Sequence, residues 1–408
     1  MSFPLHRDPT MHPTGYARTA LGLALAAALA ACSPTGEAGG SAAPPAPAPA
    51  TPQGQVVASE QGQARLEVVA RGLAHPWAVA PLPDGGFLVT ERVGKLRRIS
   101  ADGQVSEPLA GVPEVSARGQ GGLLDVVLAP DFADSRRIYL SYAEPGADGL
   151  SGTAAAYATL GEAGLEDLKV IYRQEPKVNT ENHYGSRIAF DGQGHVFISQ
   201  GERTLRPLSQ QLDKLQGKLV RLHLDGSIPE DNPFVGQAGA RPEIWSYGHR
   251  NSQGLAIDPR TGTLWESEHG PRGGDEINLP QPGRNYGWPV ITHGIDYSGE
   301  PISEAVGKEK EGMEQPHYVF EVSPGLSGMA FYTGHDGKPW NNSLFLGSLA
   351  QRQLIRLQLD GDQVVGEERL LQDLGERIRD VRAAADGNLY LVTDEDDGKL
   401  LRLVPPQG

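Results

Sequence analysis

Residues 247–288 read YGHRNSQGLAIDPRTGTLWESEHGPRGGDEINLPQPGRNYGW, which places a guanidinium, two side-chain amides, a Gly-Pro pair and a carboxylate cluster close together. Arg250, Asn251 and Gln253 stand in a Gly-bounded loop ahead of an apolar strand expected at residues 255–258. A guanidinium is a planar fork that grips carboxylates bidentately, so Arg250 suits a planar anion. A second strand, expected at residues 263–266, leads into Gly270-Pro271 and on to Asp275 and Glu276. A Gly-Pro turn exposes carbonyls and lacks one N–H, and carbonyls beside carboxylates are the donors a hard Ca2+ ion takes. Each residue alone fits an ordinary solvated loop; their concentration in one block is what points to a site.

Three further segments carry similar chemistry. RGQGGLLD, residues 118–125, holds Gln120 in a Gly-rich loop, a weak phosphate signal because no helix follows it. NHYGSR, residues 182–187, places His183 just before a strand expected at residues 188–191. A neutral imidazole can take a proton from a hydroxyl near pH 7, although most histidines are structural or exposed. Arg187 in the same segment reads as a charge that holds the loop. In ERIRDVR, residues 376–382, alternation puts Arg377 and Arg379 on one face of an extended segment. In a chain of formal net charge −15, two convergent arginines need an anion or a carboxylate to face, and Asp380 is the local structural candidate.

The elements that must position these groups are short strands. Glycine is abundant, with 52 residues, and long helical periodicity is missing. A loose repeat recurs: a tight turn such as Asp84-Gly85, Asp191-Gly192 or Asp386-Gly387, then an alternating strand, a polar excursion and often a second strand. FLVTE, RIYLSYA, HVFISQGE, TLWESEHG, SLFLGSL and NLYLVTDE are its strand segments. About six units predict an all-β, six-bladed β-propeller of four-stranded blades, whose loops bring the scattered segments to the mouth of a central channel. A β-sandwich is the structural alternative.

With these segments in view, the chain resembles the soluble sugar dehydrogenases that use pyrroloquinoline quinone (PQQ), and among them the bacterial aldose sugar dehydrogenases. The resemblance runs from about residue 66 to 405, and the string GHRN-x-QG, E-x-GP and DEIN is specific to it. It implies oxidation of aldose sugars at C1 to lactones, by hydride transfer to Ca2+-bound quinone, with an external electron acceptor. It implies that His183 is the general base and that Gln120, Arg250, Asn251, Gln253, Tyr297, Arg377 and Arg379 surround cofactor and substrate. The carbonyls of Gly270 and Pro271 would bind the Ca2+, and Glu276 and Tyr286 would bind a second, structural Ca2+; core packing is the alternative for Tyr286 and Trp288. One position departs from the pattern: where relatives carry lysine after SLFLGSL, this chain has Ala350. Either Arg352 reaches in from two residues along or that contact is lost. A Ca2+-dependent propeller lactonase is the rival enzyme class, but it would not need three convergent arginines. A non-catalytic glycan- or protein-binding propeller is the third possibility.

The start of the chain reads as a targeting segment. A weakly basic lead with Arg7 and Arg18 precedes an Ala/Leu run at residues 20–31, too short to span a bilayer, which ends at Cys32, the chain's one cysteine. The pattern resembles a lipobox and implies cleavage before Cys32 and lipidation of its thiol, with Met11 as an alternative start. The expected organisation is a signal peptide at 1–31, a Pro/Ala-rich tether at 32–60 and a catalytic propeller at 61–408. Export to the periplasm and lipid anchoring to the outer membrane follow from that reading. With no cysteine beyond Cys32, no disulfide staples the fold. The acidic balance argues against nucleic acid as a partner and leaves the anchor as the membrane contact.

Overall fold

The computed structural model describes residues 54–334 and 338–407. The expected signal segment and Cys32 lie outside the described residues. Asp-Gly turns and short alternating strands build six antiparallel sheets, the blades of a β-propeller. In the repeated turns Gly85, Gly192 and Gly387 have φ of 82°, 71° and 80°. An L side chain is disfavoured there, which is why the repeat keeps glycine. The preceding aspartate closes each turn on its own backbone: Asp84 Oδ1 accepts from Gly86 N, Asp191 Oδ1 from Gln193 N and Asp386 Oδ1 from Asn388 N.

The inner strands are Pro76–Pro81, Leu123–Leu128, Gly185–Phe190, Ser252–Ile257, Leu326–Tyr332 and Ile378–Ala383, each packed on the next around the channel. All six carry a register shift near their first residues. A bulge there bends the strand and re-aims its side chains, and these are the ends that face the site. Alternating apolar residues such as Val126, Ile138 and Leu140, or Leu344, Leu346 and Ile355, are fully buried between blades.

The blades depart from uniform four-stranded sheets. Four have four strands, one has three (Pro76–Pro81, Phe87–Glu91 and Lys95–Ile99) and one has five. In the short blade the fourth strand is reduced to a bridge between Ile99 and Val105. The five-stranded blade closes the ring by pairing Gly62–Leu73 with Gly398–Val404, and Gln55–Ser59 folds back on its outer edge. The propeller therefore begins before residue 61: part of the expected tether is a strand, because Val57 is buried and residues 55–59 pair with residues 62–66.

A buried charge knot ties the inner strands together. Arg187, 1% exposed, lies 3.3 Å from Asp125 and 2.9 Å from Asp380, and Arg382 reaches the same two carboxylates at 2.7 and 3.0 Å. Arg187 also donates to the carbonyls of Gln253 and Arg379, so it spans four blades rather than holding its own loop.

Candidate active site

Loops entering the inner strands and loops leaving the second strands converge on a cavity of about 460 Å3 at the channel mouth. Gln120, Asn251, Gln253, Gly270, Pro271, Tyr297, Arg377 and Arg379 all line it, drawn from three blades. Trp77 forms part of the same wall, with the Arg187 guanidinium 4.1 Å from its ring centroid. The charge knot thus sits directly behind the cavity.

His183 is not itself part of the lining, but its chain neighbour Tyr184 and its hydrogen-bond partner Gln120 are. Its backbone N–H donates to Gln120 Oε1 at 2.9 Å, and its φ is 55°, an uncommon conformation for a residue with a side chain. Its Nδ1 lies 2.6 Å from Oε2 of the buried Glu202. A carboxylate acceptor there assigns the proton to Nδ1 and leaves the Nε2 lone pair free. Arg203 lies 3.6 Å from the Tyr184 ring centroid and donates to the carbonyls of Asn182 and Ser151, which fixes the loop carrying His183.

Arg377 and Arg379 point to one place, as alternation predicts, but the carboxylate they face is Asp394 and not Asp380. Arg379 Nη2 is 2.8 Å and Arg377 Nη2 3.4 Å from Asp394 Oδ2. Asp380 is held in the knot. Burial works against the Asp394 carboxylate, yet the Arg379 charge and hydrogen bond outweigh it and hold its pKa well below the usual range. Arg379 Nη1 donates to Gln253 Oε1 at 3.1 Å, while its buried Nε has no partner among the described residues.

Arg250 is buried behind the wall rather than on it. Its Nη1 donates to the His269 carbonyl at 3.2 Å, its guanidinium lies 5.3 Å from the Trp288 ring centroid, and its Nε is unpartnered among the described residues. Asn251 Oδ1 accepts from Gly185 N and from Gln253 Nε2. Asp275 accepts from Gly270 N at 3.0 Å and from Gly325 and Leu326 N, locking the loop that presents Gly270 and Pro271. Tyr297, 70% exposed, forms the rim with the equally exposed Val322.

Glu276 and Tyr286 are not on the cavity. Tyr286 is buried, gives its hydroxyl to the Leu279 carbonyl and stacks on His249. Glu276 pairs across the ladder with Glu268, and burial together with the charges of Glu268 and Glu266 pushes its pKa well up. Ala350 lines the cavity without a cation, and Arg352 does not replace it: Arg352 Nη1 donates to the Gly375 carbonyl at 2.8 Å, and the residue is exposed outside the lining. The wall holds a different arginine, Arg92, whose Nη1 donates to the Gly119 carbonyl at 3.3 Å.

Sequence reasoning missed Arg92, Glu202 and Asp394. A signal was available. The segment HVFISQGE ends in Glu202, NLYLVTDE carries Asp394 just before its last residue, and Arg92 follows directly on FLVTE, so all three stand where a second strand turns toward the channel mouth.

The arrangement sets a carboxylate-paired imidazole beside a cavity walled by arginines and the Gly270-Pro271 turn, in a chain that is acidic overall. Comparison with known proteins places it firmly. Residues 73–402 match the glucose/sorbosone dehydrogenase family. Aldose sugar dehydrogenase YliI of Escherichia coli is 54% identical over 343 residues, covering 83% of this chain and 92% of that protein. The apo-form crystal structure of the soluble aldose sugar dehydrogenase from Escherichia coli superposes with a TM-score of 0.82 at 53% identity, covering 84% of this chain and 99% of that one. The PQQ-bound aldose sugar dehydrogenase of Streptomyces coelicolor gives 0.69 at 30% identity, covering 84% and 98%.

Proposed function

The chain belongs to the glucose/sorbosone dehydrogenase family, and on that premise we propose that it oxidises aldose sugars at C1 to lactones with PQQ and Ca2+ bound in the cavity. It is an oxidoreductase of the aldose sugar dehydrogenase type. The observation that carries the finer reading is the His183–Glu202 pair, tied through Gln120 to a pocket walled by Arg377 and Arg379.

The residues present fit both groups. The buried, unpartnered Nε of Arg379, a residue of the cavity wall, is a donor in want of an acceptor. Among the described residues no donor reaches the Gly270 or Pro271 carbonyl, which leaves two hard oxygens for a cation. A Cβ at Gly270 would meet the Gly273 and Gly274 carbonyl oxygens at 2.2 and 2.3 Å, so this oxygen-rich turn admits only glycine. When bound, the quinone would supply the two-electron acceptor and Ca2+ would polarise its carbonyl.

The protein's own part is then definite. His183 Nε2 takes the proton of the sugar's anomeric hydroxyl, and Glu202 stabilises the imidazolium that results. Arg377 and Arg379 hold carboxylates, Asn251 and Gln253 set orientation, and Tyr297 with Val322 covers the sugar ring at the rim. Electrons leave to an acceptor outside this chain. Restoring dye reduction on adding PQQ and Ca2+ to apoprotein, across a panel of aldoses, tests the reading; no quinone binding and no reduction with any aldose would sink it. Export and lipidation at Cys32 belong to the same proposal, and mass spectrometry of the mature N-terminus should find an acylated Cys32.

A further inference from the structure

Outside the cavity lining, a second cluster of ligand-type side chains is fully enclosed. His249 is 0% exposed, and its ring stacks on Tyr286 with centroids 4.9 Å apart and planes at 17°. Its Nδ1 lies 3.3 Å from Glu266 Oε2 and 3.6 Å from Glu268 Oε1, and the three ligand atoms are all within 4.8 Å of one another. Glu266 and Glu268 are buried as well. Despite the short distances, neither His249 Nδ1 nor Glu266 Oε2 has a hydrogen-bond partner among the described residues, so they are near each other without being aligned on each other. Two unpartnered, buried lone-pair atoms at that spacing are what a shared third atom would satisfy.

The surrounding contacts prepare the same chemistry. Ser246 Oγ is 2.8 Å from His249 Nε2, an outer partner that can take the Nε2 proton and leave Nδ1 free as a donor. Ser252 Oγ donates to Glu266 Oε1, and Asn278 Nδ2 donates to Glu268 Oε1 at 3.1 Å, which orients both carboxylates. Charge points the same way. Glu266, Glu268 and the ladder partner Glu276 crowd three carboxyl groups around one imidazole, a grouping that burial makes costly to ionise.

We propose that His249 Nδ1, Glu266 Oε2 and Glu268 Oε1 bind a divalent cation, at a site separate from the Gly270 and Pro271 carbonyls. One imidazole nitrogen with two carboxylate oxygens suits Zn2+ or Mn2+, whereas an all-oxygen turn suits Ca2+. The ion would brace the cavity from behind. Glu268 Oε2 accepts from Arg250 N at 2.6 Å and from Asn251 N at 3.4 Å, so fixing this carboxylate fixes the backbone of two cavity-loop residues.

The test is metal uptake by the full-length protein after chelation and dialysis, read by elemental analysis. Wild type should take up one equivalent of Zn2+ or Mn2+ per chain and melt about 5 °C higher with it. The double substitution His249→Leu, Glu266→Leu replaces the polar pair with apolar side chains, a change that buried ion pairs often tolerate. It should hold less than about a tenth of that metal. Wild type that takes up neither ion, or a double variant that takes up as much as wild type, overturns the proposal. Should the variant fail to fold, Co2+ added to wild type decides: visible absorption bands that one equivalent of Zn2+ abolishes support the site, and their absence rejects it.

Discussion

The Nδ1 of His183 lies 2.6 Å from Oε2 of Glu202, a carboxylate whose side chain is 1% exposed. That contact fixes which nitrogen of the base is available. His183→Ala should lower kcat by about 10²–10⁴-fold, the scale for losing a general base, while quinone affinity stays near wild type. Glu202→Gln keeps the shape but not the charge that stabilises the imidazolium, so it should lower kcat and shift the pH–rate profile without changing quinone affinity. Steady-state kinetics with a quinone titration check both, and a Glu202→Gln profile identical to wild type would show that the contact is only structural.

Arg377 and Arg379 share Asp394, but only Arg379 is buried. Arg377→Ala should therefore weaken quinone binding by about tenfold to a hundredfold with little change in melting, since a charged hydrogen bond contributes roughly 1.5–3 kcal/mol. Arg379→Ala should weaken binding and also destabilise the fold, by about 3–5 kcal/mol, because it strips a buried carboxylate of a partner. Calorimetric melting beside a binding titration separates the two effects.

Arg92, and not Arg352, is the added cation of the cavity wall. Arg92→Ala should weaken quinone binding by about tenfold, and Arg352→Ala should leave it unchanged. A reversed ranking in fluorescence titration would mean that Arg352 swings into the cavity on binding.

The Arg187 knot is structural. Arg187→Met leaves Asp125 and Asp380 buried with Arg382 alone, and a loss of about 3–5 kcal/mol is expected from denaturant unfolding. Quinone affinity per folded molecule should fall as well, because Trp77 loses its support at the cavity wall.

Burial, aided by the charges of Arg250 and Arg379, lowers the pKa of His269 to about 4 against the pull of Asp275. The unfolded value is near 6.5. Between these values the unfolded chain binds the proton and the folded one does not. The stability that neutral His269 contributes is therefore complete above pH 6.5 and is lost as pH falls toward 4. The difference in unfolding free energy between wild type and His269→Gln should shrink by about 2 kcal/mol from pH 7 to pH 5. A constant difference would refute the depressed pKa.

The fold and most of the cavity wall were legible in the sequence because they rest on local signals. Asp-Gly turns and period-two strands mark blades, GHRN-x-QG and RIR open strands that enter the channel, and E-x-GP ends a second strand at its mouth. The partners of those residues were not legible. Whether Arg379 faces Asp380 or Asp394 depends on a bulge between Ile378 and Asp380, which no pattern of residue types announces. Glu276 and Tyr286, which the resemblance implies are ligands of a second ion, lie beside the buried His249 cluster, whose members look like ordinary loop and strand residues until the ladder brings them together.

Ring closure joins Leu66 to Leu403, partners separated by more than 300 positions. During synthesis the strand at residues 62–73 emerges early and has nothing to complete it until the final strand is made. Joining such distant segments costs loop entropy before any contact rewards it, so the last step of folding should be slow and should depend on the extreme C-terminus. The same seam resists fraying, since neither Gly62–Leu73 nor Gly398–Val404 can peel away without breaking a ladder held by the other. A tag or truncation at residues 398–404 is therefore a perturbation of the whole ring, felt in folding yield before it is felt in catalysis.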